Sequence, residues 1–258
     1  MEKNLKTLDR VTRKWWFFAI LIFAQMVIYP VATKNFSFPE IGQIIGYTLG
    51  NSFQIEMRSF YIYFQILAIV ILSALFIYKN RFGRIFNLYV MVSYIVFAIL
   101  QNVAITDKYG LSIVTINVVM FLLVAYVWLR EVINPENDYS FKNVKWKDSW
   151  LIVLSLIAFW LPLKNGLFDF NPTHFLYSGS ALAFCMMTPV YLTIMSLNIP
   201  HVNIVTYRIT AIIGFLIGLY NMKNFQNPAM VNVAIVHLPL VIISFYAMVR
   251  SYTIKKVK

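Results

Sequence analysis

Eight apolar runs follow one another along the chain, at 15–33, 59–79, 85–106, 111–131, 149–164, 174–197, 203–222 and 229–250, with short polar breaks between them. A helix needs about 20 mostly apolar residues to cross about 30 Å of hydrocarbon. Of all residues, 60% are hydrophobic and 12% charged, against about 45–50% and about 25% in soluble domains. Too few polar residues remain to cover a water-facing shell. The expected fold is all-α: a polytopic transmembrane bundle of eight helices, forming a single membrane domain over 1–258. The first run follows Arg13-Lys14, as a secretory signal would. Pro30 stands two residues before Ala32, leaving no small-x-small cleavage site, so this run is expected to be retained. With a single cysteine, an intramolecular disulfide scaffold is excluded.

The basic residues divide the breaks into two sets. With the N-terminus inside, Lys3, Lys6, Arg10, Arg13, Lys14, Lys79, Arg81, Arg84, Arg130, Lys142, Lys145, Lys147, Arg208, Arg250, Lys255, Lys256 and Lys258 share one face. Only Lys34, Arg58, Lys108, Lys164 and Lys223 share the other. Such asymmetry is what the positive-inside rule produces, and a missed span would scramble it. The chain is therefore expected in the cell membrane with both termini cytoplasmic. Trp15, Trp16, Trp128, Trp146 and Trp150 are expected at the inner interface and Trp160 at the outer one. The net charge of +12 then belongs mostly to the inner face, where it suits anionic membrane lipid, and no nucleic-acid partner is expected.

Two connections are long. In the outer one, Ser37-Phe38-Pro39-Glu40 has the spacing of a capping box, followed by Ile41, Ile44, Ile45 and Leu49 and stopped by Gly50-Asn51. This predicts a short amphipathic helix over 38–49, lying on the outer surface. The alternative is a re-entrant helix in which Gly46-Tyr47-Thr48-Leu49-Gly50 forms a filter-like turn. The inner connection, 132–148, is read as a polar loop dividing the chain into halves 1–131 and 145–258. At an offset of 120 residues, Phe64-Gln65 falls over Phe184-Cys185, Asn117 over His237, and Arg130 over Arg250. A 4+4 parallel repeat is one reading of these matches, and chance alignment of apolar helices is the other.

All ten acidic residues fall outside the middle of the spans, which argues against a carboxylate proton relay. No lysine lies within a span, which removes a retinal Schiff base. What remains inside is neutral and leans outward: Asn102, Asn117, Ser178, Ser180, Cys185, Asn221, Asn232 and His237. These are the expected substrate-binding residues of an outward-facing pocket, against the alternative of interhelical hydrogen bonding. Pro189 and Pro239 are expected to interrupt spans six and eight and to serve gating. Arg208 is expected to snorkel to lipid phosphate or to contact an anionic solute. Gly214 and Gly218 form a GxxxG packing face.

His201 is separated from His174 and His237 by the bilayer, which excludes a three-histidine zinc site. Cys185, Met186, Met187 and His237 are soft ligands, but adjacent helical residues diverge, so no metal and no cofactor is expected. The leading expectation is a small membrane carrier, or a membrane solute-binding subunit, for an unidentified solute or ion, and not an enzyme. The alternative is a non-catalytic scaffold or sensor whose basic face docks lipid or a partner subunit, with homo-oligomerisation open. A membrane-embedded enzyme would require a reactive Cys185, which lacks a nearby cation.

Overall fold

Two helices occupy the centre of the molecule because nearly every residue on them is apolar, small or hydroxylic: α10 (Phe184–Leu197) and α11 (Ile204–Asn221). On α10 every residue but Cys185 is buried. The computed structural model describes residues 2–142 and 144–254; Lys255, Lys256 and Lys258 and the side chains of 2–6 lie outside the described residues. The molecule is mostly helical. In chain order, α1 (Glu2–Thr12), α2 (Trp15–Val27), β1 (Val31–Ala32), α3 (Ile41–Gly50), α4 (Phe53–Glu56) and α5 (Tyr61–Tyr78) lead to the helical hairpin of α6 (Gly83–Leu100) and α7 (Thr115–Ile133). Between α6 and α7 lie β2 (Val103–Thr106) and β3 (Gly110–Ile113). Then come α8 (Ser149–Trp160), β4 (Leu163–Lys164), β5 (Leu167–Phe168) and α9 (His174–Tyr177), and after α11, α12 (Val231–Val236) and α13 (Leu238–Thr253).

Among the described residues, four helical runs are long and apolar enough to cross a membrane: Phe38–Arg81, Gly83–Leu100, Thr115–Ile133 and Ile204–Gln226. Counting each of two bent pairs as one span makes six. The outer surfaces of these helices are themselves apolar, with Tyr63, Val70, Val92, Leu122, Phe245 and Val249 all exposed. In water such patches would drive association. In a bilayer they are the lipid-facing surface, and the molecule has the build of a membrane protein.

One bent pair corrects the expected course of span six. The helix runs straight through Pro189, and the break lies earlier, where Ala183 is extended. Segment His174–Leu182 meets α10 at 92°. A break among apolar groups leaves backbone donors to satisfy. Gln101 accepts from the Phe184 N–H at 2.7 Å and Gln65 from the Ala181 N–H at 2.8 Å. The second pair bends by 44° at His237, with Pro239 in the first turn of α13, where its missing N–H costs nothing.

Apolar stretches assigned to the ends of spans one, three and four instead form a sheet of order β1-β3-β2, with Val31 and Val103 both opposite Ile113. The β-branched residues favour it, and Gly110, at φ +63°, closes the turn where a side chain would strike Thr33 Oγ1. Helix α3 forms within the expected segment, but residues Phe38–Glu40 are a 3-10 turn and Ser37 makes no capping bond. The helix ends one residue later than expected and runs regularly through Gly46–Gly50, so no filter-like turn exists there. Ile44 is fully buried, and Thr48 donates to Ser112 of the sheet at 2.9 Å. We call this the sheet end and the opposite one the basic end. Trp128 is not at an interface: it is wholly buried and donates to Thr210 at 3.1 Å, in an aromatic core with Phe86 and Tyr191.

Candidate binding site at the sheet end

The loop after α8 carries Lys164 and Asp169 and leads into His174 at the start of α9. It folds over the start of α5 and encloses a cavity of about 570 Å³ open at the sheet end. Arg58 and Tyr61 come from the α5 side, and Lys164, Asp169, His174 and Ser178 from the loop and α9. Turn geometry sets the loop: Asn171 accepts from the Thr173 N–H and hydroxyl, and Asp169 from the Asn171 N–H. His174 Nε2 lies 3.0 Å from Asp169 Oδ2. That contact holds the Asp169 carboxyl below the usual carboxylate range, outweighing its partial desolvation. Arg58 and Lys164 are exposed and bring positive charge to the mouth.

Gln65 lies behind the cavity wall, bonded to Ser178. It is fully buried on α5, donates to Phe175 O, Ser178 Oγ and Ser180 Oγ, and accepts from Ala181 N–H and Ser180 Oγ. Ser180 also lies 2.6 Å from Phe159 O. The amide thereby pins the bent segment before α10 to the neighbouring helices. Gln65 is the one side-chain amide in the run 59–79, and that was the signal available for it.

Of the residues expected to bind substrate, only Ser178 lines this cavity; Ser180 is buried behind it, bonded to Gln65. The others form separate local groups. Asn117 donates to Asn102 Oδ1 at 2.8 Å, while Asn102 donates to Phe97 O and closes the end of α6. Asn221 donates to Ile217 O at 2.9 Å and reaches Cys185 Sγ at 3.6 Å. Asn232 donates to Gly166 O in the β4–β5 turn, and His237 Nδ1 lies 2.6 Å from Val233 O of the preceding helical turn. Among the described residues no hydrogen bond joins these groups to one another.

Arg208 corrects its expectation most sharply. It does not reach lipid phosphate: its side chain is wholly buried. Nη1 donates to Asp9 Oδ1 at 2.9 Å and Thr12 Oγ1 at 2.8 Å, Nη2 donates to Ser251 O at 2.9 Å, and the guanidinium lies over Tyr252. The reason is α1, whose Asp9 and Thr12 share one face.

The basic end is closed by residues outside the expected set. Glu131 is fully buried and accepts from the Glu136 and Asn137 N–H groups and from Asn203 Nδ2. Tyr139 is buried beside Phe86 and donates to Asn87. Much of 132–148 is thus ordered packing and not a free polar loop. Asp138 accepts from Asn80 and Ser140, which hold its carboxyl below the usual range although burial pushes it up.

Comparison with protein-family models, with curated proteins and with solved structures found no match.

Proposed function

We propose that the chain is a small multi-pass membrane carrier, or the solute-binding membrane subunit of one, that receives an anionic solute in the sheet-end cavity from outside the cell. The observation carrying this reading is the cavity itself. At about 570 Å³ it has the size of a ligand site. Arg58 and Lys164 line it together with a single carboxylate, Asp169, which lies 3.0 Å from His174. Below it, Tyr94 and Thr188 are joined at 3.0 Å in the buried core. The Glu131–Asn203 and Tyr139–Asn87 contacts close the far end. That is the layout of a site accessible from one side only, with the 92° bend before α10 as the element able to move.

In this reading the chain crosses the cell membrane eight times, with both termini on the basic, cytoplasmic side. Helices α2 and α8 supply the additional crossings, although 13 and 12 residues reach only about 20 Å at 1.5 Å per residue. Long-range polar contacts support the assignment by joining breaks placed on the same side: Asn35 with Lys108, Gln54 with Gly179 and Asn232 with Gly166 at one end. At the other, Asn80 meets Asp138, and Asp138 meets His201. The 4+4 repeat draws support from two parallels. The hairpin of α6 and α7 corresponds to the close pair α11 and α13, and α2 and α8 each lead into a two-residue strand.

The test is a thermal-shift screen of purified protein against small organic and inorganic anions, with Arg58→Ala/Lys164→Ala alongside. An anion at 100 times its dissociation constant should stabilise the parent by about 2.7 kcal/mol, and the variant should lose the shift. If the variant keeps it, the solute binds elsewhere and the proposal falls.

A further inference from the structure

A second cavity, of about 380 Å³, lies between α5 and α8 over the side of α10. Ile69, Leu72 and Phe76 of α5 face Ile152, Leu156 and Phe159 of α8 across it. Two of the three hydroxyls on its wall are engaged: Ser155 donates to Ile152 O and Thr193 to Leu151 O, while Ser73 is exposed. The rest of the wall is apolar. Phe76, Ile152 and Leu156 are exposed, so the groove opens sideways onto the lipid-facing surface.

The two cavities lie one above the other along the same elements. Helix α5 contributes Tyr61 to the polar cavity and Ile69 and Leu72 to the groove. At 1.5 Å per residue, Leu72 lies about 16 Å below Tyr61. Helix α8 lines the groove with Phe159, and the segment directly after it lines the polar cavity with Leu163 and Lys164. Helix α9 changes sides within one residue, with His174 in the polar cavity and Phe175 in the groove. Gln65 ties the two together, donating to Ser178 Oγ of the polar cavity and to the carbonyl of Phe175, a half-buried residue that lines the groove.

We propose that the occupant of this crevice is an anionic lipid drawn sideways from the surrounding leaflet, its head group held by Arg58 and Lys164 and one acyl chain lying in the groove. The inference rests on the solute-binding reading above and names its substrate class. Charge complementarity specifies the head: two cations flank the mouth, and Asp169 is engaged by His174. The apolar groove below it along α5 and α8 specifies the tail. A water-soluble anion would use only the upper cavity, and an uncharged chain only the lower.

Native mass spectrometry of protein held in amphipol tests this with three probes: methyl phosphate, dodecyl phosphate and dodecyltrimethylammonium. Each methylene taken into the groove should tighten binding about fourfold, the equivalent of about 0.8 kcal/mol. Dodecyl phosphate should therefore bind at least 100-fold tighter than methyl phosphate, and at least 10-fold tighter than the cation. Ser73→Trp, which fills the groove from an exposed position, should abolish the chain advantage while leaving methyl phosphate binding at the parental level. Ile152→Trp on the facing helix should do the same and serves where the first variant does not fold. Arg58→Ala should erase the preference over the cation. Equal binding of methyl and dodecyl phosphate overturns the lipid inference and leaves the solute cavity standing. A chain advantage that survives both tryptophan variants overturns it too, since the chain then lies elsewhere. Binding of neither phosphate overturns both readings.

Discussion

Asp9 and Arg208 stand 199 positions apart and hold the first helix to the bundle. Burial alone would raise the Asp9 carboxyl, but Arg208 and Arg13 outweigh it and hold it below the ordinary value of 3.8. A carboxylate depressed in the folded state contributes stability above its unfolded pKa and loses it as pH falls through the folded one. Residues 7–12 are therefore expected to keep high hydrogen-exchange protection factors, measured against the unstructured rate at each pH, at neutral pH and to lose protection below about pH 4. Asp9→Asn should speed their exchange at neutral pH, removing about 1.5–3 kcal/mol of charged hydrogen bonding, and should flatten the pH dependence. Unchanged protection in Asp9→Asn would mean that packing of residues such as Leu8 alone holds α1. At this scale the sequence was read in part. Arg208 stood out as the arginine at the start of an apolar run, but its partner lies in a segment read only for its charges. Gln65 was visible as a lone amide, whereas Ser178 and Ser180 were identified without it. Hydrogen-bond partners separated by more than 100 residues leave no local pattern.

Helices α11 and α13 approach closely because Gly214 and Gly218 face them. A Cβ at position 214 would stand 2.5 Å from Ser244 Oγ and 3.2 Å from Thr188 Cγ2, and one at 218 would stand 2.9 Å from Val241. The packing role expected of this pair is what the structure shows. Gly214→Ala should destabilise the protein by about 1–3 kcal/mol through overpacking, read as a lowered melting temperature in detergent. Because Ser244 Oγ is buried without a hydrogen-bond partner among the described residues, Ser244→Ala should restore part of that loss. An additive double variant would place the strain elsewhere. The elements that escaped the sequence reading are β1, β2 and β3. Their apolar, β-branched residues are as hydrophobic as a helix end, and an apolar run alone does not distinguish strand from helix. The 92° turn escaped for a related reason: proline marks where a helix lacks a donor, not where the chain bends. Pro189 sits in a straight helix because neighbouring helices hold α10 on all sides, while Ala183 bends because Gln101 and Gln65 satisfy the donors it frees.

For the whole molecule, the testable quantity is sidedness. With Cys185 replaced by Ala, a membrane-impermeant maleimide should label Phe170→Cys in intact cells and Val144→Cys only after permeabilisation, since both positions are exposed and flank α8. Labelling of both from outside would mean that α8 does not cross, and the reverse pattern would invert the topology.

The mostly helical, membrane-protein character of the chain was determined by the sequence alone. Hydropathy and charge add residue by residue, and a bilayer responds to those sums. The meeting of side chains was decided only by the tertiary structure. Where both faces of a helix are apolar, as on α5, no amphipathic stripe says which face turns inward, so the rotation that buries Gln65 beneath the Arg58–His174 cavity is set by packing. The cavity depends equally on a bend, on a loop folded back over α5, and on the pairing of distant polar groups that have no water to satisfy them. Those are properties of the assembled bundle.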